Sequence, residues 1–363
     1  MDNPKQESVI TSVSGYINII SKYFKSTNNK RIYYRGHSNT EYSMKPSVFR
    51  NNQIKCEDYL YQNMLLLNPD EFNSDVATVE KLSRMQHHGC PTRLLDITSN
   101  PLVALYYAAS SSKKNNGDVI IITASDKIIK YYDDDKVSFL ANLARLSHRE
   151  KSSLGRLSQT MRNRLKNLIA ENSYELMLYL QSITRGYNQK RNLENRNIDV
   201  HNIISNVYVN EGLSEQNVKE DYLAFQKLHK YVSIDTQLYQ LYNIYEHLFN
   251  VIYNLNSTLI VIPRINNKRI LAQSGSFMLF GHKKNDENGQ IISSKYIEQI
   301  DTMYENIQLR KIHVKNNAKE KILNELDALN INSKSLYLSI DNSSYYLVSK
   351  CREYLVTDKT KKY

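Results

Sequence analysis

The chain has 363 residues, 41% apolar and 23% charged, which suits a folded protein with a real core and excludes a disordered one. Its net charge of +11 favours polyanionic partners such as nucleic acid or nucleotide phosphates, although the wealth of Asn, Lys, Ile and Tyr also fits an AT-rich coding genome. Cys56, Cys90 and Cys351 are scattered and form no CxxC pair, no run approaches the ~20 apolar residues of a membrane span, and residues 1–22 lack a signal-peptide core. The expectation is a cytoplasmic protein without a disulfide framework or a membrane partner.

Residues 7–24 space their apolar side chains for an amphipathic helix. Residues 30–36 (KRIYYRG) predict a short strand ending at Gly36. Helices follow over 58–67, stopped at Asn68-Pro69, and over 72–87. Residues 86–98 read as a rigid turn, because Gly89 and Pro91 punctuate the chain between helical stretches. Asn100-Pro101 then opens a helix to 109: the Asn side chain caps free N–H groups, and Pro suits the first helical position. Residues 119–123 (VIIIT) form the continuous β-branched run of a central strand.

Residues 134–256 change texture and predict a helical insertion, with Arg145, Arg149, Lys151, Arg156, Arg162, Arg164 and Lys166 along it and an amphipathic helix over 237–255. Strands return at 258–262, 269–280 and 309–314, then a helix at 318–329, a strand at 335–340 and a closing helix at 342–355. Strands separated by unequal helical blocks imply an α+β fold: a mixed central β-sheet flanked by helices, with a long basic helical insertion.

Three stretches could carry chemistry. The turn at 86–98 offers His88, Thr92, Arg93 and Asp96, anchored by Leu94 and Leu95. The plain alternative is that Asp96 and Thr98 cap the next helix and His88 packs in the core. His87-His88 is not expected to hold a metal, since neighbouring helical side chains diverge. Arg35 ends a strand beside Gly36; its planar fork suits a phosphate or ribose, and Gly36 would let a ligand approach. Its alternative is an ion pair with Asp96. The third stretch offers the Gln273 amide, an open backbone at Gly275 and the ring of Phe277.

These residues resemble the FRG domain, named for a Phe-Arg-Gly triplet. The resemblance is carried by Tyr34-Arg35-Gly36 with Pro46-Ser47-Val48-Phe49-Arg50, by residues 86–96 with Pro101, Ala104 and Ala108, and by Arg269-Ile270 through Gln273-Ser274-Gly275-Ser276-Phe277. Order and spacing agree across roughly residues 30–282, and the tail to about 345 fits a typical ending. Tyr34 replaces the naming Phe, and Ile97 stands where an aromatic is common.

The resemblance implies a single FRG-type domain over 1–363, its core about 30–133 and 257–345, interrupted by the insertion at 134–256. It implies a place in bacterial toxin–antitoxin or phage-defence loci, with an antitoxin-type protein as partner. Its strand-borne Arg and late strand are similar to the arrangement in ADP-ribosyltransferases that cleave NAD. On that reading Arg35, His88, Asp96 and Gln273 are catalytic, while Arg35, Gly36, Tyr42, Thr92, Arg93 and Phe277 bind NAD and no metal is used. Gln273 stands where many such enzymes carry Glu, so either Asp96 supplies the carboxylate or the acceptor needs little deprotonation. The basic helices would then present RNA as acceptor. Two other readings stay open: metal-independent RNA cleavage by His88 and His37 with Arg35 and Arg93, and a non-catalytic module that binds a nucleotide or a partner.

Overall fold

The computed structural model describes residues 8–26, 30–110, 114–170, 201, 204–209, 211–236, 243–265, 267–282 and 307–337. Among the described residues eight strands, β1 (Ser8–Ile10), β2 (Arg31–His37), β3 (Leu94–Thr98), β4 (Gly117–Ala124), β5 (Ile129–Tyr131), β6 (Thr258–Ile262), β7 (Gly275–Phe280) and β8 (Ile307–Val314), form one sheet. Their order is β1-β8-β4-β2-β3-β7-β6-β5. The outer pairs β1/β8 and β5/β6 are parallel and the other neighbours antiparallel. The fold is α+β with a mixed sheet.

Every residue of β4 is buried, as its β-branched run requires. Val119 and Ile121 face one layer, where α1 (Val13–Ser26), α5 (Pro101–Ala109) and α11 (Lys319–Ala328) pack. Ile120, Ile122 and Ala124 face the opposite layer. That layer includes α2 (Glu57–Leu67), α3 (Pro69–Phe72), α4 (Thr78–His87), α6 (Asp135–Asn142), α7 (His148–Ala170), α8 (Glu215–Asp235) and α9 (Asn243–Asn254). Two short helices, α10 (Lys268–Ala272) and α12 (Ser333–Tyr337), complete the described elements used below.

Gly36 is required by packing. A Cβ there would lie 2.0 Å from the Ala104 carbonyl oxygen and 2.7 Å from the Ala108 nitrogen, so α5 rests directly on the β2 backbone. Gly36→Ala should cost about 3 kcal/mol or more in urea unfolding, because the obstacle is a helix backbone that cannot rotate aside.

Helices α6 to α9 all lie between β5 and β6 in the chain, and they are tied to the sheet layer through buried carboxylates. Asp235, at the end of α8, accepts from the Thr78 N–H (2.8 Å) and hydroxyl (3.0 Å) and from Asn142 Nδ2 (2.8 Å). It thereby caps α4 from outside. Much of the cationic row of α7 and the turn before it is tied to other groups of the protein. Arg145 lies 3.8 Å over the Tyr231 ring, Arg149 pairs with Glu220, Arg156 with Asp221, and Lys151 with Glu57. Arg162 donates to the Ile252 carbonyl. Five of the seven basic residues singled out in the sequence are thus bound within the protein.

Several boundaries differ from the sequence reading. Residues 94–98 are a strand, because β7 supplies a partner for each of them from Leu94 opposite Leu279 to Thr98 opposite Gly275. The expected strand over 269–280 begins at Gly275. Before it, the Asn267 side chain accepts from the Arg269 N–H (2.8 Å) and starts α10, and Ser274 turns the chain at a φ of +47°. The expected 72–87 helix begins only at Thr78, as α4, while Phe72 ends the short α3. Glu80 accepts from the Val76 and Ala77 N–H groups (both 3.0 Å) and fixes a new start. Ser333–Tyr337 is helical rather than extended. Residues 237–242, 338–340 and the closing helix at 342–355 lie outside the described residues. Among those described, no helix is long and apolar enough to cross a membrane.

Candidate active site

Strand β2 pairs with β4 along its length, from Arg31 opposite Ala124 to His37 opposite Asp118. Its ladder with β3, among the described residues, holds at one position, Tyr34 opposite Thr98. The two strands then part, and a cavity of about 200 Å³ opens beside the gap. Arg35 spans it. Its Nη1 donates to the Asp96 carbonyl oxygen (2.5 Å) and its Nε to His37 Nε2 (3.1 Å). The guanidinium therefore meets the main chain of residue 96, and the expected ion pair with the Asp96 carboxylate does not form.

A guanidinium can only donate, so His37 Nε2 accepts and the ring is neutral. Burial first, then the charges of Arg35 and Lys311, push His37 down to about 3. Burial does the same to His247, at about 3, and to His282, at about 4. These folded-state values lie below the ordinary 6.5, so the unfolded chain takes up more protons as pH falls and stability declines from pH 6.5 downward. For the well-buried His37 and His247 together the loss at pH 5 should reach up to about 4 kcal/mol relative to pH 7.5. Urea midpoints at the two pH values measure it.

The cavity walls come from five places. Strand β2 gives Arg35, and β3 gives Asp96 and Thr98. Helix α4 gives Ser83, Gln86 and His87, spaced i, i+3 and i+4 on one face. Helix α5 gives Val103 and Tyr107, one turn apart. The α10–β7 segment gives Arg269, Gln273 and Phe277. Asp96 is exposed in an otherwise buried strand and is the one carboxylate among the lining residues. Among the described residues its carboxylate accepts no hydrogen bond and joins no ion pair.

The residues expected to share the site divide into two groups. Arg35, Gly36, Asp96, Gln273 and Phe277 all line the cavity. His88, Thr92, Arg93 and Tyr42 do not. His88 is exposed at the end of α4, its ring edge-on to His87 at 5.0 Å. Thr92 is buried and held by Gln86 and Ser47. Arg93 is 0% exposed and bound to Glu57 and to the Phe280 carbonyl. Tyr42 is exposed and meets the edge of His37 at 6.1 Å. Thr98 and Asp96 do not cap α5. Asn100 does, accepting from the Leu102 N–H (2.9 Å), while the Thr98 hydroxyl donates to the Gln273 carbonyl (2.6 Å). Gln273 sits at the end of α10, off any strand, and its Nε2 donates to the Leu336 carbonyl (3.0 Å).

Sequence reasoning missed His87, Tyr107 and Arg269 as site residues. Helical i, i+4 spacing links His87 to Ser83 and Tyr107 to Val103. Burial and the neighbouring Tyr337 raise the Tyr107 hydroxyl well above its ordinary value, so it stays protonated. Arg269 lies with its guanidinium 5.6 Å from the Tyr337 ring centre and its Nη1 3.3 Å from His87 Nδ1. Among the described residues no group of three or more His, Cys, Asp or Glu is placed to hold a metal.

No curated protein and no solved structure matches the chain. A family model does, over residues 30–117, and it is that of the FRG domain. The matched stretch holds the β2 arginine, β3 and its Asp96, and all of α4 and α5, whereas Arg269, Gln273 and Phe277 come from beyond it. Residues 30–117 of this chain, which build one side of the cleft, match the FRG domain.

Proposed function

We propose that the cleft binds NAD and transfers ADP-ribose to a nucleic-acid acceptor, RNA foremost, as the chemistry of a toxin or phage-defence effector. The observation that carries this reading is the parted β2–β3 edge, where Arg35 and Asp96, whose carboxylate has no ion-pair partner among the described residues, share one cavity with the rings of Tyr107 and Phe277. A volume of about 200 Å³ falls below the roughly 300–1,000 Å³ of sites that enclose a drug-sized ligand. It takes nicotinamide and its ribose and leaves the diphosphate and adenosine at the mouth.

In the transfer, the bond between ribose C1′ and the nicotinamide nitrogen breaks, and its electron pair stays on that nitrogen, so neutral nicotinamide leaves. The acceptor oxygen or nitrogen bonds to C1′, and its proton passes to Asp96. Positive charge grows on the ribose in between, and the Asp96 carboxylate opposes it. Arg35, fixed by the Asp96 carbonyl and His37, orients the sugar. Gln273 keeps its Oε1 for a sugar hydroxyl. The acceptor approaches over the exposed Arg264, Lys268 and Arg50, since the arginines of α7 are engaged internally. The FRG resemblance supports the toxin or defence setting and an antitoxin-type partner. RNA cleavage by His37 and His88 gains nothing from the geometry: the first is buried and neutral, and the second lies off the cavity.

Incubation with NAD and cellular RNA should release nicotinamide and add the mass of ADP-ribose to RNA. Absence of nicotinamide release with RNA, DNA and cell protein as acceptors, from folded protein, would overturn the proposal.

A further inference from the structure

The cavity carries more positive charge than it neutralises. Arg35 enters from β2 and Arg269 from α10, against the carboxylate of Asp96, the single one lining the cavity among the described residues. Among the described residues neither arginine forms an ion pair; they meet a carbonyl oxygen, two imidazoles and a tyrosine ring. A half-buried guanidinium without a counter-ion is poorly solvated, and a phosphate would supply two parallel charge-assisted hydrogen bonds.

Arg269 is also held in place. Asn267 fixes its backbone, Tyr337 supports the plane of its guanidinium, and His87 meets its Nη1. Since Arg269 can only donate, His87 Nδ1 accepts, and the ring proton sits on Nε2 as a further donor. Burial, Arg269, His88 and Arg84 lower the His87 pKa, while Asp96 opposes them.

We infer that Arg269 and His87 form the phosphate arm of the cleft, binding the diphosphate of a nucleotide ligand whose sugar and base-like ring lie deeper, against Arg35 and Tyr107. This rests on the proposed nucleotide reading of the same cavity. His87 is exposed and Arg269 half-buried, so both stand at the mouth, where a ligand too large for the interior must place its diphosphate. Arg269 is thereby a residue that separates phosphorylated ligands from free nicotinamide or nucleosides.

The test is calorimetric binding of ADP-ribose, inorganic pyrophosphate and nicotinamide to the full chain. Wild type should bind ADP-ribose and pyrophosphate. Arg269→Gln, which removes the guanidinium and its charge, should weaken both at least about tenfold and leave nicotinamide binding unchanged, and Arg269→Lys should recover part of the loss. Pyrophosphate should also raise the His87 pKa, followed by NMR with the facing groups Arg269, His88, Arg84 and Asp96 intact. Failure of both phosphorylated probes to bind wild type, or binding by folded Arg269→Gln within twofold of wild type, would overturn the inference. Pyrophosphate binding lost in Arg269→Gln without any NAD turnover would uphold it and count against the transferase reading alone.

Discussion

Replacing Glu57 by alanine should remove about 3–5 kcal/mol of stability, a large part of the roughly 5–15 kcal/mol that holds a typical domain together. Glu57 is 2% exposed and lies between Arg93, at 0%, and Lys151, at 1%. Its carboxylate accepts from Arg93 Nε (2.8 Å), from Arg93 Nη2 and from Lys151 Nζ (2.7 Å). Without it two cations remain in the core with no anion between them. Urea unfolding measures the loss, and a variant within about 1 kcal/mol of wild type would refute the argument. The triple change Glu57→Leu, Arg93→Met, Lys151→Met should recover most of the stability, because apolar groups of similar size need no counter-charge.

The same cluster fixes a pH dependence. Burial alone would raise the Glu57 carboxyl, but the charges of Arg93 and Lys151 and their hydrogen bonds hold it at about 2. The folded value lies below the unfolded one near 4.5, so this stabilisation is fully present above pH 4.5 and is lost as pH falls toward 2.

Asp96→Asn should lower the rate of nicotinamide release about 10²–10⁴-fold while leaving NAD affinity within a few-fold and the urea midpoint unchanged. The fold should not notice the change. The side chain is exposed and makes no hydrogen bond among the described residues, and the group that anchors Arg35 is the main-chain oxygen, which asparagine keeps. Single-turnover release of nicotinamide is the measurement. Undiminished release would place the essential carboxylate elsewhere and remove Asp96 from the chemistry.

What the sequence disclosed was mostly local physics. Asn100-Pro101 marks the start of α5 because its cap is made by neighbours in the chain, and the VIIIT run marks β4 because both its faces are buried. Residues 94–98 did not read as a strand, since their pairing depends on β7, about 180 residues further on. Ile270-Leu271 resembled strand residues, yet a side-chain cap from Asn267 and a left-handed Ser274 decide otherwise. Arg93 shows the largest gap in the site. A cation in a polar turn suggests a ligand, and only the fold reveals Glu57 and Lys151 waiting for it in the core. The basic row of 145–166 misleads in the same way: the acids that pair with Arg149 and Arg156 sit on α8, some 65–71 residues away.

The strand order separates what is inherited from what can stand by itself. The FRG stretch closes at residue 117, the first residue of β4, so almost all of the rung that supports β2 falls outside it. The opposite cleft wall arrives only after the helical block, on β7. A recombinant fragment cut at the ends of the recognisable motif would therefore carry Arg35 on a bare edge, with no sheet beneath it and no second jaw to its mouth.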